Sequence, residues 1–85
     1  AEMTDKTETA IQKGKRAQAL LGDDLLHEAI EAMKADALGK WRNAPLSDVQ
    51  EQVNSKCYFH AVEQLEHKLK LYVVNGDFAA KTLDS

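Results

Sequence analysis

Four side chains capable of metal or nucleophile chemistry share one stretch of the sequence: Cys57, His60, Glu63 and His67. Cys57 and His60 are three apart, and Glu63 and His67 four apart, spacings that would bring each pair to one face of a helix. A closed zinc site takes four ligands with thiolate or imidazole prominent, and no second pair of this type completes the set. The Glu63 and His67 pair is therefore read as a surface contact, and Cys57 as a small half-buried hydrophobe. No metal and no other cofactor is expected. Nucleophilic catalysis would need Cys57 activated by a histidine that a third group orients. A chain of 85 residues built of packed helices offers little room for a concave pocket or for oxyanion donors. No catalytic residue is assigned, and enzyme activity is not expected.

The second candidate is basic. Lys13, Lys15 and Arg16, with Lys6 nearby, could touch phosphate. The formal net charge is nevertheless −3, and residues 1–22 carry only a slight basic excess, four basic side chains against three acidic. A DNA-binding domain shows a clear basic excess on one face, so the cluster is read as a solvated helix face. A helix-turn-helix made of residues 24–42 and 48–75 fails on size, since that motif uses short helices. Two alternatives stay open: a nucleic-acid-binding packaging accessory that uses Lys13, Lys15 and Arg16, and a small inhibitor that presents Asp23, Asp24, Glu28 and Glu31 to a basic site on a host protein.

The elements that carry these residues follow from periodicity and end signals. Ser47 and Gln50 form a capping box, and Asn75-Gly76 reads as a helix terminus with glycine in the left-handed conformation. Between them Tyr58, Val62, Leu65, Leu69 and Tyr72 recur at spacings of 4, 3, 4 and 3, one stripe of a long helix. Leu26, Ile30, Met33, Ala37 and Trp41 form a similar stripe upstream, ended by Pro45, which disfavours a helical residue before it and lacks a backbone donor. Gly22 followed by Asp23 and Asp24 reads as a stop and restart. The first helix is thin, with Gly14 costing roughly 1 kcal/mol in its interior. Asp77 would cap a short last helix, whose Phe78 and Leu83 would fold back on the rest.

The pattern predicts a single helical domain, residues 1–85, with helices over about 4–21, 24–42, 48–75 and 78–83. The expected fold is all-α: a long antiparallel helical hairpin with an additional N-terminal helix and a short C-terminal helix. One cysteine allows no internal disulfide, and a monomer of this size would bury only about 60% of its unfolded-chain surface. No apolar run approaches the ~20 residues that span a bilayer, and the amino end lacks the apolar core and cleavage site of a secretory signal, so a soluble chain without a membrane partner is expected. The long helix, about 42 Å at 1.5 Å per residue, would overhang a compact globule with a radius of gyration of about 12 Å. Such an overhang needs a neighbour. Leu65, Leu69 and Tyr72, with Phe59 next, are the candidate partner-binding residues, because apolar and aromatic side chains left outside an intrachain stripe are what interface cores use.

The paired leucines before Gly22, the mid-chain Trp41 followed by Pro45 and Ser47-Asp48, the long helix, and the closing Asn75-Gly76 with Phe78-Ala79-Ala80 together resemble a group of small all-helical proteins of tailed bacteriophages and prophages, encoded among virion genes. The resemblance covers roughly residues 17–83. It implies a non-enzymatic phage protein of the virion or the host cytoplasm, either built into the particle or acting in its assembly. Its partner would be a larger phage structural protein, such as the capsid or portal, or further copies of itself in a homo-oligomer or multi-copy array.

Overall fold

The computed structural model describes residues 2–84, with side chains described over residues 6–83. Three helices account for nearly all of it: α1 (Glu2–Leu21), α2 (Asp24–Asn43) and α3 (Val49–Asp84). The described residues contain no strand. Their packing divides into two compact units. One comprises α1 and the part of α3 from Glu66 onward; the other, Asp24–Leu65, comprises α2 and the start of α3.

The α2–α3 turn is where the structure first departs from expectation. The amide of Ala44 donates to the Lys40 carbonyl at 3.0 Å, and Pro45, unable to extend the ladder, ends the helix. The amide of Asp48 then donates to the Pro45 carbonyl at 2.9 Å. Asp48, not Ser47, caps α3: its Oδ1 accepts from the Glu51 amide at 3.1 Å, satisfying one of the orphan donors of the first turn with a carboxylate suited to the positive end of the dipole. Gln50, expected to reach back to the cap, instead donates through Nε2 to Asn54 Oδ1 at 2.9 Å. The turn is clasped by Gln52, whose Nε2 donates to the carbonyls of Pro45 at 3.1 Å and Leu46 at 3.3 Å.

The larger correction concerns Asn75-Gly76. The expected terminus is absent, no glycine has positive φ, and α3 runs on without a break, so residues 78–83 are its last turns and not a separate helix. No proline follows to stop it, and within this stretch the Thr82 hydroxyl donates to the Phe78 carbonyl at 3.0 Å. Phe78 and Leu83 do not fold back; both are exposed. Gly76 has a different task. A Cβ on it would lie 3.0 Å from the Ala10 carbonyl oxygen and 3.0 Å from Gly14 Cα, while a Cβ on Gly14 would lie 2.9 Å from the Tyr72 carbonyl oxygen and 3.0 Å from Gly76 Cα. Gly14 and Gly76 are both buried. The missing side chains let the backbones of α1 and α3 touch, as small-residue pairs do at close helix crossings, and the propensity cost read for Gly14 is offset by that contact.

Most buried and half-buried positions of α3 follow a strict heptad: Gln52, Ser55, Phe59, Val62, Glu66, Leu69, Val73, Gly76 and Ala80, spaced alternately by three and four, with Glu51, Tyr72 and Ala79 half-buried at its edge. This is the narrow seam of a coiled-coil-like contact. In the Asp24–Leu65 unit its buried members are Ser55 and Val62, with Ile30 and Ala37 buried on α2. In the other unit Gly76 is joined by Gly14 and Ala17 of α1. The seam differs from the expected stripe. Tyr58 and Leu65 stand one position before its Phe59 and Glu66 and are about half exposed.

Candidate functional site

The cysteine and histidine cluster does not assemble. Cys57 is exposed. His60 turns Nδ1 toward Glu63 Oε1 at 3.3 Å, a solvent-facing contact between residues three apart, and its ring meets Phe59 edge-on with centroids 6.5 Å apart. Among the described residues no group of three or more His, Cys, Asp or Glu side chains converges. His60 also borders a cavity of about 310 Å³ in the Asp24–Leu65 unit, together with Trp41, Phe59 and Ser55. Ser55 is 4% exposed and its Oγ has no hydrogen-bond partner, so the base that a serine nucleophile requires is not in place there. Trp41, a member of the apolar stripe read on α2, is half exposed at the cavity's edge.

The second concavity lies within the unit formed by α1 and the later part of α3. It is an open cleft of about 630 Å³, lined by Lys13, Arg16, Ala17 and Leu20 from α1 and by Leu69 and Tyr72 from α3. Helical spacing explains its α1 wall: Lys13, Arg16, Ala17 and Leu20 recur at three and four and so share one side. Tyr72 is its centre. The Lys13 Nζ sits 5.2 Å from the ring centroid and the Lys68 Nζ 5.8 Å from it, within range of a cation–π attraction. None of Lys13, Arg16 and Lys68 has a carboxylate partner among the described residues. One carboxylate, Glu8, lines the cleft.

The four residues expected to bind a partner are thus distributed over different surroundings. Leu69 and Tyr72 are half-buried and face the α1 cleft; Phe59 is half-buried beside Trp41; Leu65 is exposed. Sequence reasoning passed over another set. Leu71, Val74 and Phe78, at spacings of three and four, form an apolar face on α3 turned away from the seam, with exposures of 38%, 60% and 74%. Its periodicity was available in the sequence, but the supposed helix end at Gly76 cut the series. Lys68 meets Lys13 at the Tyr72 ring only through the packing of α1 on α3.

No helix of the described residues is long and apolar enough to cross a membrane. No protein-family model matches the chain, and comparison with curated proteins and with solved structures likewise gives no match.

Proposed function

We propose that the chain is a non-enzymatic structural or assembly protein of a tailed bacteriophage, present in several copies, which docks through exposed apolar helix faces on copies of itself or on a larger virion protein. The observation that carries this reading is the face formed by Leu71, Val74 and Phe78. A regular apolar stripe on the side of a helix opposite its own packing seam has no intrachain use, and burying it against another chain is favourable by roughly 25 cal/mol per Å² removed from water. Leu65, which is half exposed, is a further docking residue. Leu69 and Tyr72 contribute through their exposed edges.

In this reading α2 and the start of α3 form an antiparallel hairpin. The support is positional: Ile30 and Val62 each lie sixteen residues from Leu46, and Ala37 and Ser55 each nine. All four are buried, the symmetry that two helices folded about Leu46 would produce.

Sedimentation equilibrium over a wide concentration range tests the function. Wild type is expected to self-associate, and Phe78→Asp, at a position 74% exposed and therefore harmless to the fold, is expected to weaken that association while leaving the helical circular dichroism unchanged. A wild type that stays monomeric at every concentration, and a Phe78→Asp chain indistinguishable from it, would remove the physical basis of the proposal.

A further inference from the structure

We infer that the contact between copies is head-to-tail and charge-matched: the cleft of one copy, lined by Lys13, Arg16 and Tyr72 with Lys68 over the Tyr72 ring, receives the acidic start of α2, Asp24, Glu28 and Glu31, of a second copy. The inference rests on the self-association reading above and adds its geometry.

The cleft side is unbalanced. The cleft lining holds two cations, Lys13 and Arg16, against a single carboxylate, Glu8, and Lys13 and Lys68 are held over the Tyr72 ring instead of by an acid. An incoming carboxylate would pair with these cations and gain charge-assisted hydrogen bonds. The apolar face begins beside Lys68, since Lys68 and Leu71 are three apart on α3 and so are neighbours on its surface. The complete docking surface is cationic on one side and apolar on the other.

The start of α2 has the complementary make-up. Asp24, Glu28 and Glu31 fall at spacings of four and three and lie within about 60° of one another around the helix. All three are exposed. Glu31 pairs with Lys34 at 3.6 Å, and Asp24 and Glu28 have no cation partner among the described residues. Leu25, 73% exposed, flanks this stripe and supplies the apolar element that Leu71, Val74 and Phe78 would meet. The acidic excess of the chain lies in this unit: over Asp24–Leu65 there are seven acidic side chains against four basic, while the unit that carries the cleft is balanced, seven against seven. Complementary charge of this kind fixes register and partner more than it adds raw affinity. Because the two surfaces are different patches, the contact is heterologous and propagates into a ring or an open array.

The test pairs two charge reversals. Lys13→Glu with Arg16→Glu in one chain, and Glu28→Lys with Glu31→Lys in another, should each weaken self-association about tenfold or more in sedimentation velocity, and an equimolar mixture of the two should restore it. Wild-type association should also fall by about tenfold between about 0.05 M and 0.5 M salt, which needs no variant to fold. Either double variant associating as wild type does, a mixture that stays monomeric, or salt-independent association overturns the inference while leaving apolar docking through Phe78 standing. A monomeric wild type overturns both. A monomeric wild type that shifts on adding a short DNA oligonucleotide would show that the cleft takes phosphate and not a second copy.

Discussion

Replacing glycine by alanine should have opposite signs at two glycines that both lie inside helices. Gly39 is in the interior of α2, and a Cβ added there meets nothing within 4 Å. Gly39→Ala should therefore yield the bare propensity gain, about 0.8–1 kcal/mol, which for a chain of this size raises Tm by about 4–8 °C. Gly14→Ala has the same propensity gain but places its methyl 2.9 Å from the Tyr72 carbonyl oxygen and 3.0 Å from Gly76 Cα. Both are backbone atoms of α3 and cannot rotate away, so α1 must lift off. Overpacking of that kind costs about 1–3 kcal/mol, leaving Gly14→Ala neutral to about 2 kcal/mol destabilised and separating the two variants by about 1–3 kcal/mol. Gly76→Ala should behave like Gly14→Ala, because its methyl meets the Ala10 carbonyl oxygen and Gly14 Cα, each at 3.0 Å. Urea denaturation followed by far-ultraviolet circular dichroism at one protein concentration measures all three. If Gly14→Ala and Gly76→Ala stabilise as much as Gly39→Ala, the backbones of α1 and α3 do not touch at this crossing, and close approach is not the reason for either glycine.

Three further outcomes are expected on the same assay. Asp48→Ala should cost about 0.5–2 kcal/mol by removing the acceptor of the Glu51 amide, whereas Ser47→Ala should stay within about 0.5 kcal/mol of wild type; equal effects would return the cap to Ser47. Ser55→Ala should stabilise by about 1 kcal/mol, because it removes a buried hydroxyl that has no partner and adds helix propensity; a loss of stability would reveal an unseen hydrogen bond. Ile30→Ala should destabilise by about 2–5 kcal/mol as a core deletion, while Leu25→Ala, at a 73% exposed site, should not.

The helical class and the break between α1 and α2 were legible because they depend on local chemistry. Gly22-Asp23-Asp24 and Pro45 act on the backbone within a few residues, and the structure has its helix ends at those places. The packing seam was hidden because four of its nine positions on α3 are Gln52, Ser55, Glu66 and Gly76. A search for apolar periodicity slides past them to Tyr58, Leu65 and Tyr72, which repeat almost as well one position off. Gly76 misled for a related reason: glycine after asparagine is a common helix terminus, and only the approach of α1 from a distant part of the sequence explains why it is tolerated inside a helix. The cap was displaced by one residue because Ser47 and Asp48 are both good N-caps and local sequence does not separate them; in the structure Asp48 accepts from the Glu51 amide. Of the partner-binding candidates, Leu69 was placed in the seam by a spacing that serves intrachain and interchain packing alike. Periodicity states that a face is apolar. It does not state what covers it.

That distinction bears on how α3 joins fold to function. Four of its nine seam positions hold small or polar side chains, Gln52, Ser55, Glu66 and Gly76, among the apolar Phe59, Val62, Leu69, Val73 and Ala80, while the large apolar side chains Leu71, Val74 and Phe78 stand on the opposite side. Those four positions release little apolar surface from water, and the smallest of them, Gly76, permits close backbone approach, so they supply register more than stabilisation. On the proposed docking, a further hydrophobic gain would come from a contact that forms only when another chain arrives, and any chain that binds the folded state adds to its stability in proportion to the logarithm of its concentration. A protein that docks in this way would be more stable in company than alone, and because the two faces are separate, substitutions at Phe78 are expected to act on association without passing through the seam.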